Sequence, residues 1–301
     1  MKAKIFGAIS AVALLGAISF PMASSAGVPS DLPVVSNVHE PHIFVAHGAT
    51  ASNSTTSSPL TYHGGPVMNG TVTVAPIFWG TNTAYPTSKV PGLSAFYVGY
   101  GSSAYAGISG QYTGPGGNAA VSVSYQNPVL DSTRASSSAS SVLNEVVNRI
   151  GFSKLSNTAY YPVYTDIPRG SATACAWHSV GSVRSGSVTK RIKFAFFYNL
   201  DNDPSCTSVI KSFNTFDVPT NALANVSAHE LAEMITDPEL NAWYDSSGYE
   251  NGDKCAWNFK NTTSVDSSGS TVTTYLSETL SNSSLWMLQG EWSNSANSCS
   301  W

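Results

Sequence analysis

One acidic segment constrains this chain more than any other part of its sequence. Only 11% of the 301 residues are charged, yet seven carboxylate side chains lie within the 25 positions from His229 to Asp253, with no lysine or arginine among them. They are Glu230, Glu233, Asp237, Glu239, Asp245, Glu250 and Asp253. In the folded protein, these carboxylates have to be paired with a cation or exposed to solvent.

His229 and Glu233 are four residues apart on a predicted helix that Pro238 ends. Residues at this spacing lie one turn above each other, so both side chains could bind one metal ion. Glu230 would be the general base that takes a proton from water on that ion, as in the H-E-x-x-H helix of zinc hydrolases. The alternative is an amphipathic helix whose acidic face is solvated.

A third metal ligand has to come from outside these two residues. We expect Glu250, on a segment that a disulfide at Cys255 would anchor, and the alternatives are Asp253, His178 and Asp237. Two carboxylates beside one histidine would weaken the field that a water molecule feels on Zn²⁺. They would also make Ca²⁺ or Mn²⁺ more competitive with Zn²⁺ for this site.

The N-terminus predicts export. Residues 1–26 contain two lysines, then an apolar run from Ile5 to Phe20, then small residues, which is the pattern of a secretory signal peptide. The run is shorter than the roughly 20 residues that a spanning helix needs, so we expect no membrane attachment after cleavage. The mature protein is expected to be extracellular.

Four cysteines agree with an oxidising destination. An even number permits three pairings, and the sequence does not select among them. We favour Cys175–Cys206 and Cys255–Cys299, because each of these bonds closes a local loop.

The net charge of −4 argues against nucleic acid as a partner, because phosphate binding needs a basic surface. The partners expected instead are a peptide or a cell-wall polymer, bound by a monomer.

The chain divides into three predicted regions. After the signal peptide, residues 27–60 show no sustained period and end in a Ser/Thr/Asn tract, which indicates a flexible arm or a short propeptide. His39, His42 and His47 lie there, and we interpret them as solvated rather than metal-binding. Residues 61–301 are expected to form one domain.

Strands and helices alternate within that domain, which predicts an α/β or α+β fold with a single mixed sheet and a metal-site helix. Strands are predicted for 71–80, 120–125, 159–166 and 191–200, helices for 137–152 and 220–238, and a terminal strand pair for 270–280 and 284–294.

Several blocks of the sequence resemble the phosphate-induced protein 1 family, which includes the plant EXORDIUM proteins. The blocks are "YHGGPVMNGTVTVAPIFWG", "CAWHS", "AHELAEMITDPELNAWYDSSGYENGDKCAW" and "QGEWSN". The resemblance covers roughly residues 60–301 and implies a secreted, wall-associated protein. It implies no biochemical activity, and the plant pattern lacks the His-Glu pair of this helix.

Two functions are therefore predicted. The first is a secreted zinc-dependent metallohydrolase, a peptidase, with His229, Glu233 and Glu250 as ligands and Glu230 as the base. The alternative is a non-enzymatic cell-wall protein. It would hold a structural metal or bind carbohydrate through Trp243, Trp257 and Trp292.

Overall fold

The computed structural model describes residues 32–49 and 58–301, so the predicted signal peptide lies outside the described residues. The α-helices in these ranges are α1 Ala84–Tyr100, α2 Ala104–Gly107, α3 Ala139–Ile150, α4 Pro204–Thr207 and α5 Val218–Thr236. Three short 3-10 helices are Ser109–Gln111, Phe152–Lys154 and Asp253–Cys255.

The strands are mostly short, and the three longest are consecutive. In chain order they are β1 Val34–Ser36, β2 His42–Val45, β3 Thr61–Tyr62, β4 Thr71–Val74, β5 Ile77–Trp79, β6 Thr113–Gly114, β7 Gly117–Asn118, β8 Ser122–Tyr125, β9 Val129–Asp131, β10 Ala159–Pro168, β11 Ala174–Ser185, β12 Val188–Asn199, β13 Trp243–Tyr244, β14 Asn261–Val265, β15 Thr271–Tyr275, β16 Glu278–Thr279, β17 Leu285–Trp286, β18 Glu291–Ser293 and β19 Ser298–Ser300.

Nine of these strands form one mixed sheet. β10 runs parallel to β12 on one side and to β4 and β5 on the other, and β8 and β9 extend the parallel part. β11 runs antiparallel to β12 and carries both β1 and β2 along its outer edge. The remaining strands form short two-stranded pairs outside this sheet.

Helices cover both faces of the sheet. α3 packs on one face, where Trp177, Phe194 and Phe196 belong to its apolar cluster. α1 and α5 pack on the other face, against Tyr164 and Phe197. Successive residues of a strand point to opposite faces, so the neighbour of Trp177 in β11 points toward α5. The predicted fold class, a single mixed-sheet domain with helices, is confirmed.

Helix α1 is absent from the sequence-based prediction. Pro91 lies inside it and Gly92 follows, a pair that normally indicates a break. Its apolar residues are not confined to one side, so no helical stripe shows in the sequence. Phe96 and Tyr97 of this helix are completely buried. Tertiary packing therefore stabilises a helix that the local sequence does not favour.

The predicted terminal strand pair is confirmed only at its inner ends, where β16 pairs antiparallel with β17. The other strands of the two segments pair elsewhere. β15 pairs with β14, and β18 pairs with β19. Both partners are short polar segments whose strand character the hydrophobic pattern does not reveal.

The prediction of an irregular arm over residues 27–60 is wrong for two stretches. β1 and β2 both pair antiparallel with β11 and so belong to the main sheet. Their sequences are too short for a detectable period. They form strands because β11 would otherwise present unpaired backbone groups at the edge of the sheet.

Both predicted disulfides are present. Cys175 in β11 is bonded to Cys206 in α4, and Cys255 is bonded to Cys299 in β19. These bonds agree with the oxidising compartment that the sequence predicts. None of the helices formed by the described residues has the length and apolar character needed to cross a bilayer.

Candidate metal centre

Helix α5 carries the predicted site into the interior of the domain. The Asp217 side chain caps its first turn by accepting a hydrogen bond from the backbone N–H of Thr220, and the helix ends before Pro238. Every residue from Thr220 to Thr236 is buried. The acidic face of this helix is therefore not solvated.

The structure brings His229 and Glu233 together as the spacing predicts. His229 Nε2 lies 3.1 Å from Glu233 Oε2. The ring of Phe44 packs on the imidazole of His229, with 4.3 Å between ring centroids, and the side-chain amide of Gln289 lies 3.0 Å from Nδ1. These two contacts orient the imidazole so that Nε2 faces Glu233.

His178, an alternative ligand in the sequence analysis, is also at this site. It lies on β11, points toward α5 and is fully buried. Its Nδ1 is 2.9 Å from Glu230 Oε2, and its Nε2 is 3.4 Å from Glu250 Oε2. The two nitrogens of one ring therefore face different carboxylates.

His42 completes the cluster, and its interpretation as a solvated residue is wrong. It is paired with His178 across the β2–β11 ladder. Its Nδ1 lies 2.5 Å from Glu250 Oε2, and its Nε2 lies 3.3 Å from Asp253 Oδ2. His42 and the buried Phe44 share one face of β2, but the four residues "HIFV" are too few for the sequence to show this period.

A compact turn returns the downstream carboxylates to the helix. Asp245 Oδ1 accepts backbone hydrogen bonds from the residues that follow it. The backbone N–H of Asp253 donates to Glu233 Oε1 at 2.9 Å, and that of Glu250 donates to Asp253 Oδ2 at 3.2 Å. A Cβ on Gly252 would come within 2.9 Å of Glu233 Oε1, so this close approach requires glycine.

Seven buried side-chain atoms in this cluster have no well-aligned hydrogen bond within the described part of the chain. They are His42 Nδ1, His178 Nε2, His229 Nε2, Glu230 Oε1, Glu233 Oε2, Glu250 Oε1 and Glu250 Oε2. Most buried polar atoms in native proteins have a partner, and a bound ion is one of the recognised reasons for an exception.

The donor atoms fall into two sets that share Glu233. The first set is His42, His178, Glu233 and Glu250, and the second is His229, Glu233 and Asp253. In each set, one donor atom per residue lies within 4.8 Å of all the others. This buried group could hold a metal ion.

Two separations within the first set are suited to a small ion, while the 2.5 Å between His42 Nδ1 and Glu250 Oε2 is shorter than two ligand atoms of one zinc ion would allow. Ligand atoms on a tetrahedral zinc with bonds of roughly 2.0–2.1 Å are about 3.3 Å apart. His178 Nε2 and Glu250 Oε2 are 3.4 Å apart, and His42 Nδ1 and Glu233 Oε2 are 3.5 Å apart.

Burial dominates the electrostatics of the cluster. It lowers the pKa of His178 to about 3, so this imidazole is neutral and can donate a lone pair. It raises the pKa of Asp253 to about 6 and raises the pKa of Glu250 as well. Burial also opposes ionisation of Glu233, but His229 and His42 together outweigh it and hold the pKa of Glu233 below its usual range.

A cavity of about 210 Å³ adjoins the first donor set. Its lining residues are Glu40, Pro41, His42, Asp237, Leu240, Tyr244, Gly248 and Glu250. His42 stands at this opening with 28% of its side chain exposed. Asp237, an alternative ligand in the sequence analysis, lies in the wall, where its Oδ1 accepts the backbone N–H groups of Asn241 and Ala242. It belongs to neither donor set.

The three tryptophans proposed for carbohydrate binding are packed into the domain. Trp292 is only 6% exposed, and Trp257 stacks on Phe44 with ring centroids 5.0 Å apart. The indole N–H of Trp243 donates to the backbone carbonyl of Thr113.

Comparisons with protein-family models, with curated proteins and with solved structures gave no match for this chain. A function therefore has to be inferred from the residues of the site.

Proposed function

We propose that this chain is a secreted zinc-dependent hydrolase that cleaves peptide bonds. The proposed ligands of the zinc are His42, His178, Glu233 and Glu250. One observation carries the proposal: buried donor atoms without hydrogen-bond partners converge from four separate parts of the chain beside a cavity. A cation bound among them would satisfy groups whose burial is otherwise costly.

The donor types support zinc over calcium. Two imidazole nitrogens and two carboxylate oxygens form a four-coordinate set of the kind that zinc accepts. Calcium takes six to eight oxygen ligands, so the histidines disfavour it.

The cavity supports a catalytic ion over a structural one. Four protein ligands fill a tetrahedral shell, so a catalytic water would have to be a fifth ligand, and the adjoining cavity has room for it and for substrate. Zinc in this position would polarise the carbonyl group of a bound substrate and activate water for attack on it. The negative charges of Glu233 and Glu250 would weaken the field that the water feels, so its activation would be smaller than at a zinc held by neutral ligands.

The contact between Glu230 and His178 supports a different role for Glu230 from the general base that the motif predicts. Glu230 Oε2 lies against Nδ1 of His178, on the opposite side of the ring from Nε2. A carboxylate in this position fixes the tautomer and orientation of a metal-bound histidine. We therefore assign Glu230 as a positioning residue.

Two substitutions at Glu230 separate the roles. If Glu230 positions His178, Glu230→Gln retains a carbonyl oxygen for Nδ1–H and keeps zinc and most of kcat, while Glu230→Ala loses about 10–100-fold in zinc affinity. If Glu230 is a general base, both variants lose kcat and both keep zinc. Zinc titration and steady-state kinetics on the two variants distinguish these outcomes.

The extracellular setting of the proposal is supported by the two disulfides. The resemblance to the EXORDIUM-like family adds a wall-associated setting, in which the substrate is a peptide or a polymer of the cell wall. The competing function is a non-enzymatic protein with a structural metal. It predicts a zinc-loaded protein that hydrolyses nothing.

His42→Ala tests the proposed function with His39→Ala as its matched control. Both histidines belong to the same segment, but His39 is exposed and lies outside both donor sets. We expect zinc-dependent cleavage of a quenched fluorescent peptide library by the parent and by His39→Ala. His42→Ala should lose at least about tenfold in zinc affinity and in cleavage. Full zinc loading with no cleavage by the parent would favour the structural metal instead.

A further inference from the structure

We infer that the centre binds two metal ions bridged by Glu233. This inference rests on the proposed metal site and adds a second ion, held by His229, Glu233 and Asp253. The ligand originally predicted from the helix motif, His229, thereby belongs to the second ion and not to the first.

The number of donors supports two ions. The two sets contain six residues, which is more than the four ligands of a tetrahedral zinc site. His229 Nε2 is fully buried and lies 3.1 Å from Glu233 Oε2, and neither atom has a well-aligned hydrogen bond within the described residues. If one ion took only the first set, His229 Nε2 would face a carboxylate oxygen that this ion already occupies.

The position of Glu233 suits a bridge. Its Oε1 accepts the backbone N–H of Asp253, which fixes the carboxylate and leaves Oε2 between the two sets. Oε2 is 3.1 Å from His229 Nε2 on one side and 3.5 Å from His42 Nδ1 on the other. One oxygen atom therefore faces a nitrogen of each set, as in centres whose two metals lie about 3.5–4 Å apart.

The charges also balance with two ions. Four carboxylates, Glu230, Glu233, Glu250 and Asp253, lie within the cluster, and each forms its ion pairs with histidine. With all four ionised, one divalent ion would leave two negative charges buried together, which is costly. Two divalent ions compensate all four.

Metal stoichiometry tests the inference. The metal-free protein is titrated with Zn²⁺, and bound metal is measured by elemental analysis after dialysis. We expect about two equivalents per chain for the parent and about one for Asp253→Asn, which preserves side-chain volume. His229→Ala, expected to bind about one, is the second variant. The matched control is Glu291→Gln, a fully buried carboxyl outside both sets, which should bind about two.

Cobalt provides a readout that does not depend on activity. Two Co²⁺ ions that share a carboxylate oxygen are magnetically coupled, so the parent should give a coupled electron paramagnetic resonance spectrum and Asp253→Asn an uncoupled one. One equivalent in the parent, with peptide cleavage intact, overturns the second ion and leaves the proposed function standing. Two coupled ions without cleavage support the inference and overturn the proposed function. No bound metal overturns both.

Discussion

Glu233→Ala is expected to remove metal from both donor sets at once. Glu233 is the one residue that the sets have in common. Loss of residues that only orient a ligand already costs roughly 10–100-fold in metal affinity, so loss of a shared ligand should cost about 1,000-fold or more. Hydrolysis should fall to the level of the metal-free protein. Isothermal titration with Zn²⁺ and peptide cleavage measure the two effects.

Glu239→Ala is the matched control for this variant. Glu239 is a glutamate just beyond the same helix, where it pairs with Arg191 and Lys193 outside both sets. It should leave zinc binding unchanged. A Glu233→Ala protein that is folded by near-ultraviolet circular dichroism and keeps its zinc would show that the donor sets are assigned incorrectly.

Removal of metal should lower the melting temperature by about 8–16 °C. A ligand that binds only the native state, at ~1,000 times its dissociation constant, stabilises that state by about 4 kcal/mol. For a domain of roughly this size, each kcal/mol shifts Tm by about 2–4 °C. The physical reason is that, without a cation, the carboxylates of the centre repel one another in a buried site.

Differential scanning calorimetry of the holoprotein, the chelated protein and the chelated protein with zinc restored measures this shift. Magnesium is the control addition and should restore little of the lost stability, because it binds imidazole poorly. The Tm of Glu233→Ala should not respond to zinc. A holoprotein whose Tm is unchanged by chelation would contradict a metal at the centre of the fold.

The sequence predicts the helical part of the site well, because helical spacing is a local property. A spacing of four residues from His229 to Glu233 is enough to place both on one face of a helix. The return of Glu250 and Asp253 to that helix follows from the acidic turn and from the disulfide at Cys255, which the local-loop argument pairs correctly.

The contribution of β2 could not be predicted in the same way. His42 reaches the centre through pairing with β11, and that register depends on residues more than a hundred positions away. The same holds for the role of Glu230, since its contact with His178 joins a helix to a strand of the sheet. The position of His42 and the role of Glu230 both depend on long-range contacts. The spacing of residues along the chain carries no information about such contacts.

The fold shows the same division between local and long-range information. α3 is predicted because its serine cap, its apolar periodicity and its Gly151 stop agree, and α5 is predicted with Pro238 as its end. α1 is not predicted, because Pro91 and Gly92 contradict a helix that only burial supports.

The attachment of β2 at the outer edge of β11 makes the centre depend on the continuity of the chain. His42 is joined to the rest of the domain through the Ser/Thr-rich residues before Leu60, and otherwise by strand pairing and side-chain packing. A proteolytic cut in that tract would convert His42 from a ligand of the same polypeptide into one held by a dissociable peptide. The intact and the cut protein would then be two chemical species with the same sequence but different affinities for metal.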